Sequence, residues 1–163
     1  MKFIIDEMKN CDWNEVKSIY LEGIITGIAT FQTEAPSFED WDSGHLKDCR
    51  FVARCDGKVV GWLALSPTSS RDCYRGVVEV SVYVDGRYQG NGIGKSLLNT
   101  VIEASEKKGI WSLYCAIIKE NIGSIELHKK CCFREIGHRE RIAKMPGGKW
   151  HDVVLLERRS ELF

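Results

Sequence analysis

Two features near the middle of the chain can do chemistry: an acid set among valines, and a glycine-dense loop that follows it. Glu79 stands in Val77-Val78-Glu79-Val80-Ser81-Val82-Tyr83-Val84, where Val78, Val80, Val82 and Val84 alternate with Glu79, Ser81 and Tyr83. That period of two, rich in β-branched residues, predicts a strand. A carboxylate in such company is costly unless hydrated or paired, and burial raises its pKa toward the range of a general base. The blander reading is a solvent-facing strand residue. The loop is Gln89-Gly90-Asn91-Gly92-Ile93-Gly94-Lys95, and Ile93, Leu97, Leu98, Val101 and Ile102 then recur at helical spacing. Glycines leave backbone N–H groups unshielded. At a helix N-terminus such groups suit a phosphate or pyrophosphate.

Three phosphate motifs compete for that loop. Gly94-Lys95-Ser96 looks like the end of a P-loop, but the glycine that motif needs five residues earlier is Gln89. A dinucleotide fingerprint needs a glycine three residues after Gly92, where Lys95 stands. The pattern Gln/Arg-x-x-Gly-x-Gly/Ala fits Gln89 to Gly94 at every position. Taken alone, these six residues also suit a plain glycine turn capping a helix.

The elements that must position these residues read as follows. Residues 2–5 suit a short strand, and Asp12 with Glu15 suggests a capping box. Val16, Ile19, Tyr20 and Ile24 make a helical stripe to about residue 25, weakened at its end by Gly23 and Gly27. Residues 26–36 read as a loop. Ser37 can cap a second helix that buries Phe38, Trp41 and Leu46. Strands are expected at 50–54 and 58–66 about an Asp56-Gly57 turn, and at 111–118 after Gly109 ends the long helix. A shorter helix spans 121–132, and strands at 133–142 and 151–157 flank a glycine-containing turn. An antiparallel meander followed by a β-α-β crossover predicts one mixed sheet covered by helices, an α/β or α+β single domain over 1–163.

Composition narrows the classes. Lys plus Arg and Asp plus Glu balance at 23 each, so no basic excess argues for nucleic acid and no polybasic run for a membrane surface. Hydrophobic residues make up 44% and charged residues 28%, ordinary values for a globular protein. No apolar run approaches the roughly 18 residues of a membrane helix. The opening Met1-Lys2-Phe3-Ile4-Ile5-Asp6 turns acidic too soon for a signal peptide, so the cytoplasm is the expected location. The seven cysteines include no Cys-x-x-Cys, and Cys131-Cys132 are adjacent. They read as reduced thiols, mostly in the core, and no metal is expected.

The loop and the order of elements together resemble the GNAT superfamily of acetyl-CoA-dependent N-acetyltransferases. The resemblance narrows to the phosphinothricin and methionine sulfoximine acetyltransferase branch. It rests on Thr30-Phe31-Gln32-Thr33-Glu34, on Glu79 to Val84, on Arg87-Tyr88-Gln89-Gly90, on Asn121 to His128, and on Gly147-Gly148-Lys149-Trp150-His151-Asp152. It covers roughly residues 3–160. The resemblance implies acetyl-CoA as co-substrate, a small amine or amino-acid acceptor, no metal, and frequent homodimers. The implied sheet is mostly antiparallel, with one parallel pair that splays apart.

Site residues are carried over position by position. Glu79 matches the proposed general base. The N–H groups of Val82 and Val84, with Tyr83 on the same strand, would serve the pantetheine, and Val82 would polarise the thioester carbonyl. Gln89, Gly90, Asn91, Gly92, Ile93, Gly94 and Lys95 would hold the pyrophosphate, though Lys95 reads equally as a solvated lysine. Asn121 and Ser124 fall at the next helix start, where Asn121 is also a natural N-cap. His128 falls where many GNATs carry a tyrosine acid, and would protonate the departing thiolate or simply pack in the core. Arg75 could clamp a carboxylate bidentately or stand as a surface arginine. Phe31, Thr33, Tyr83 and Trp150 would wall the acceptor, with His151 as a further wall or acid/base partner.

Overall fold

The computed structural model describes residues 1–163. Strands and helices follow one another in the order that the residue patterns predict. β1 (Ile4–Glu7) leads to α1 (Trp13–Thr26) and α2 (Phe38–Gly44), then β2 (Phe51–Cys55), β3 (Lys58–Pro67) and β4 (Val77–Val84). α3 (Ile93–Lys107), β5 (Ser112–Ile118), α4 (Ile122–Lys130), β6 (Arg134–Lys144) and β7 (Trp150–Arg159) complete the chain. The β2–β3 hairpin turns on Asp56 and Gly57, both at positive φ (49° and 82°), the backbone a two-residue hairpin loop demands.

All seven strands join one sheet in the order β1-β2-β3-β4-β5-β7-β6. Every pairing is antiparallel except β4 with β5, which run parallel. That parallel ladder is short. It holds for Val77↔Ser112, Val78↔Leu113 and Glu79↔Tyr114, after which the strands part.

Because side chains alternate across a strand, the sheet has two apolar faces. One buries Leu63, Leu65, Val78 and Val80 against Ile93, Leu97, Leu98 and Val101 of α3. The other buries Val52, Trp62 and Ala64 against Val16 and Ile19 of α1 and Trp41 of α2. Ser37 caps α2 as predicted, its hydroxyl accepting from the Asp40 N–H at 3.1 Å. No helix is long and apolar enough to cross a membrane. Four of the seven cysteines are buried and none is paired.

One local expectation is corrected. Asp12 caps α1 with no side-chain hydrogen bond. Its carboxylate is buried and instead accepts from Arg54 Nη1 and Nη2 at 2.9 and 2.8 Å and from the Lys9 N–H at 2.8 Å. An ion pair across elements outweighs the local cap. The helix α1 runs to Thr26, close to its expected end, and stops at Gly27 in the left-handed conformation at φ 71°. At Gly23 the missing side chain makes room: a Cβ there would stand 2.9 Å from Tyr83 Cδ1.

Candidate active site

The parting of β4 and β5 opens the site. Asp85 N–H donates to Val60 carbonyl, which makes Asp85 and Val60 a hydrogen-bonded antiparallel pair. By alternation along the register Gly61↔Val84, Trp62↔Tyr83 and Leu63↔Val82, the backbone N–H groups of Val82 and Val84 point away from β3. They face the side that β5 has left. A cavity of 1070 Å³ fills this gap, lined by Glu79, Val82 and Val84 of β4, by Cys115 and Ile117 of β5, and by the loop ahead of α3. Such a volume is at the large end of the range for ligand sites.

At the cofactor-sized end, Gly90 and Gly92 adopt φ of 77° and 82°, a backbone that glycine takes without strain. Gly92 is the N-cap of α3 and offers no side chain to the first-turn N–H groups. Those groups are left to an anion. Gln89, Gly90, Gly92, Ile93, Gly94 and Lys95 all line the cavity, but Asn91 does not. Its amide donates to the Tyr88 and Gln89 carbonyls at 3.0 and 3.1 Å, so its side chain braces the loop. Gly94 lets α3 approach α4, where a Cβ would meet Leu127 Cδ2 at 2.8 Å. Across the cavity Asn121 accepts from the Ser124 N–H at 3.2 Å, and both residues line the wall.

Glu79 is half-buried and lines the cavity. Burial alone pushes its carboxyl above the ordinary glutamate value, with no neighbouring charge or hydrogen bond contributing. His128 lines the cavity too and is 2% exposed. Its Nδ1 lies 2.8 Å from the Ser124 carbonyl, so Nδ1 carries the proton that is donated there, while Nε2 is buried without a partner. Burial lowers its pKa, so the ring is neutral and presents a lone pair on Nε2. A ring in that form has no proton to hand a thiolate until it gains one, which weakens the acid role expected for it. Cys115 lines the cavity beside them, and burial first, then the Glu79 charge, pushes its thiol up to about 12.

Several predicted acceptor residues stand elsewhere. Arg75 does not line the cavity. Its guanidinium pairs with Asp72 at 3.2 Å and lies over the Trp111 ring, on an exposed turn. Thr33 is exposed outside the cavity, whereas Phe31 lines it. Trp150 is 50% exposed, with Lys144 over its ring. His151 is buried, edge-on to Phe31 at 6.0 Å, with Nδ1 3.5 Å from Glu120 Oε2. The register Glu79↔Tyr114↔Glu157 puts His151 on the Glu79 face of the sheet, but six residues further along. That is about 20 Å along the strand direction, too far for a shared proton.

Against the β4 end of the large cavity lies a second, smaller chamber of 190 Å³. Tyr20, Trp41, His45, Trp62, Ser81 and Tyr83 supply most of its wall. Trp62 and Tyr83 stack at 4.9 Å, Trp41 and His45 at 4.4 Å. The Tyr83 hydroxyl donates to the Ala29 carbonyl at 3.4 Å, tying this cluster to the loop over the cavity. These side chains come from α1, from α2 and its C-cap, from β3 and from β4, and only Trp41 with His45 and Ser81 with Tyr83 are near in sequence.

The Acetyltransferase (GNAT) family pattern matches residues 12–133. The phosphinothricin N-acetyltransferase of Streptomyces viridochromogenes is 31% identical over 91% of this chain and 81% of its own length. The L-methionine sulfoximine/L-methionine sulfone acetyltransferase of Pseudomonas paraeruginosa is 31% identical over 62% of this chain and 58% of its own. Among solved structures, a GNAT superfamily phosphinothricin acetyltransferase from Sinorhizobium meliloti, in complex with AcCoA, superposes with a TM-score of 0.87. It is 26% identical and covers 98% of this chain and 89% of that one. The splayed strands, the glycine loop and the buried glutamate therefore take their place in a known fold: the chain belongs to the GNAT family of acetyltransferases.

Proposed function

We propose that this enzyme transfers the acetyl group of acetyl-CoA directly to the α-amine of a small amino-acid analogue of the phosphinothricin or methionine sulfoximine/sulfone type. One observation carries the reading. A half-buried carboxylate without partners stands on the strand whose next free amides face an open gap, and that gap ends at uncapped helical N–H groups.

Acetyl-CoA fits these residues as a co-substrate. The N–H groups from Gly90 to Lys95 suit its diphosphate, and those of Val82 and Val84 suit the pantetheine amides. Asn121 and Ser124 form the opposite wall. Glu79 takes the proton from the acceptor ammonium, directly or through water, freeing the lone pair for attack on the thioester carbonyl. The Val82 N–H donates to the oxygen on which negative charge develops. The tetrahedral intermediate then collapses with cleavage of the C–S bond, and the proton still held by the attacking nitrogen passes, directly or through water, to the departing coenzyme A thiolate. Cys115, held as a thiol, is a poor nucleophile, which favours direct transfer over an acetyl-enzyme. The buried neutral ring of His128 packs the sulfur end of the cavity and orders the first turn of α4 through Ser124.

The relatives' activities support the acceptor class. An acetyl-CoA-dependent thiol-release assay against phosphinothricin, methionine sulfoximine, methionine sulfone, polyamines and peptide N-termini tests it. Release with the first three is the expected result. No release with any amine, and no coenzyme A binding, would defeat the reading.

A further inference from the structure

The aromatic chamber lies at the level of Ser81, two residues along β4 from Glu79 and on the same face. That is about 7 Å, the distance between an α-amine at the base and the body of a short side chain. The chamber and the large cavity share Tyr20, Gln32, His45, Ser81 and Tyr83, so the two spaces adjoin. We propose that the chamber receives the side chain of the acceptor and selects an uncharged one, so that methionine sulfone and sulfoximine are preferred to the anionic phosphinothricin. This rests on the acetyl-transfer reading above and deepens it.

The argument is one of charge. No lysine or arginine lines the chamber, and the one acidic side chain in its wall is Asp40. His45 is neutral, because burial lowers its pKa. Its Nδ1 is 2.6 Å from the Trp41 carbonyl and donates there, so its Nε2 offers a lone pair and no proton. A neighbouring cation, Arg50, lies over the Trp41 ring at 4.9 Å and is not among the lining groups. Its donors are spent on Asp42 and on the carbonyls of Asp42, His45 and Leu46. A phosphinate in this space loses its water, meets no counter-charge and faces a carboxylate. A sulfone or sulfoximine brings no net charge, and its body suits ring edges.

Steady-state kinetics with purified enzyme and acetyl-CoA test the proposal, comparing methionine sulfone with phosphinothricin. The expected kcat/KM ratio is about ten or more in favour of the sulfone, the worth of one charged hydrogen bond that the phosphinate lacks. Gln32 is exposed, at the junction of the two spaces, so its exchange leaves the fold intact. Gln32→Arg supplies the missing cation and should shift the ratio toward phosphinothricin by about ten-fold, with the KM for acetyl-CoA unchanged. Gln32→Leu should leave phosphinothricin disfavoured. Turnover of phosphinothricin equal to or better than the sulfone, or a ratio unmoved by Gln32→Arg, overturns the chamber while leaving acetyl transfer intact. Absence of thiol release with every amine instead refutes the transferase reading on which it rests.

Discussion

Replacing Glu79 with glutamine separates chemistry from structure more cleanly than any other change in the site. The carboxylate has no hydrogen bond or charge partner, and burial is the sole cause of its raised pKa. Glutamine therefore breaks no contact within the protein, and its volume is nearly the same. The sign of the stability effect follows from the shift. A carboxyl raised by burial stabilises the fold while protonated, and that contribution is lost as pH climbs through its folded pKa. At neutral pH the wild-type carboxylate is a burden, so Glu79→Gln should melt at the same temperature or slightly higher. Acetyl-CoA affinity should hold, because the proposed coenzyme site is built from backbone N–H groups rather than from Glu79. The loss falls on proton removal, about 10²- to 10⁴-fold in kcat/KM, or about 3–5 kcal/mol of barrier. In the wild type kcat/KM should rise with pH through a value above the ordinary glutamate pKa, and this acid limb should vanish in the variant. Thiol-release kinetics from pH 5 to 9, with thermal melts at each pH, read all three. A variant that keeps activity within about ten-fold of wild type, with the acid limb unchanged, would refute the assignment.

Other changes probe the supports of the site. Gly23→Ala drives a methyl against Tyr83; the overpacking, about 1–3 kcal/mol, exceeds the helix-propensity gain of about 1 kcal/mol, so a lower Tm and a higher acceptor KM are expected. Asn121→Ala removes the α4 cap and should cost about 1 kcal/mol, a Tm fall of about 2–4 °C, with weaker acetyl-CoA binding measured by calorimetry. Arg54→Met strands the buried Asp12 and should cost about 3–5 kcal/mol in urea melts. Burial pushes the Asp12 carboxyl up, but Arg54 and the Lys9 N–H more than offset it and hold it below 3.8. The stability from that pair is therefore present above about pH 4 and lost as pH falls further, so the Tm of Arg54→Met should drop less there than that of the wild type.

How much of this was legible in the chain depends on whether an interaction is local. The valine alternation about Glu79, the Asp56-Gly57 turn and the uncapped glycine loop are set by near neighbours, and each lies where its pattern places it. The departure of β5 after Glu79 follows from the family resemblance rather than from any residue of β4. Side-chain direction was not legible where distant partners compete. Asp12 abandons a cap for Arg54, Asn91 turns back onto its own loop, and Arg75 joins Asp72 and Trp111 in place of the cavity. His128 showed its position but not its tautomer, which the Ser124 carbonyl decides. The aromatic chamber was not legible in the sequence, because its wall is gathered from α1, the loop after it, α2, β3 and β4, and no local pattern announces that they meet.

A sheet that loses its parallel partner after three rungs is unfinished at its centre, where most sheets are strongest. A ligand lying along Val82 and Val84 would complete it, so under the proposed acetyl-CoA reading the coenzyme would act as a detachable staple. By mass action each hundred-fold excess of such a ligand over its Kd adds about 2.7 kcal/mol to resistance against unfolding. Opening should begin at this seam when the coenzyme is scarce, and the amount of protein that escapes proteolysis then follows the acetyl-CoA pool of its surroundings.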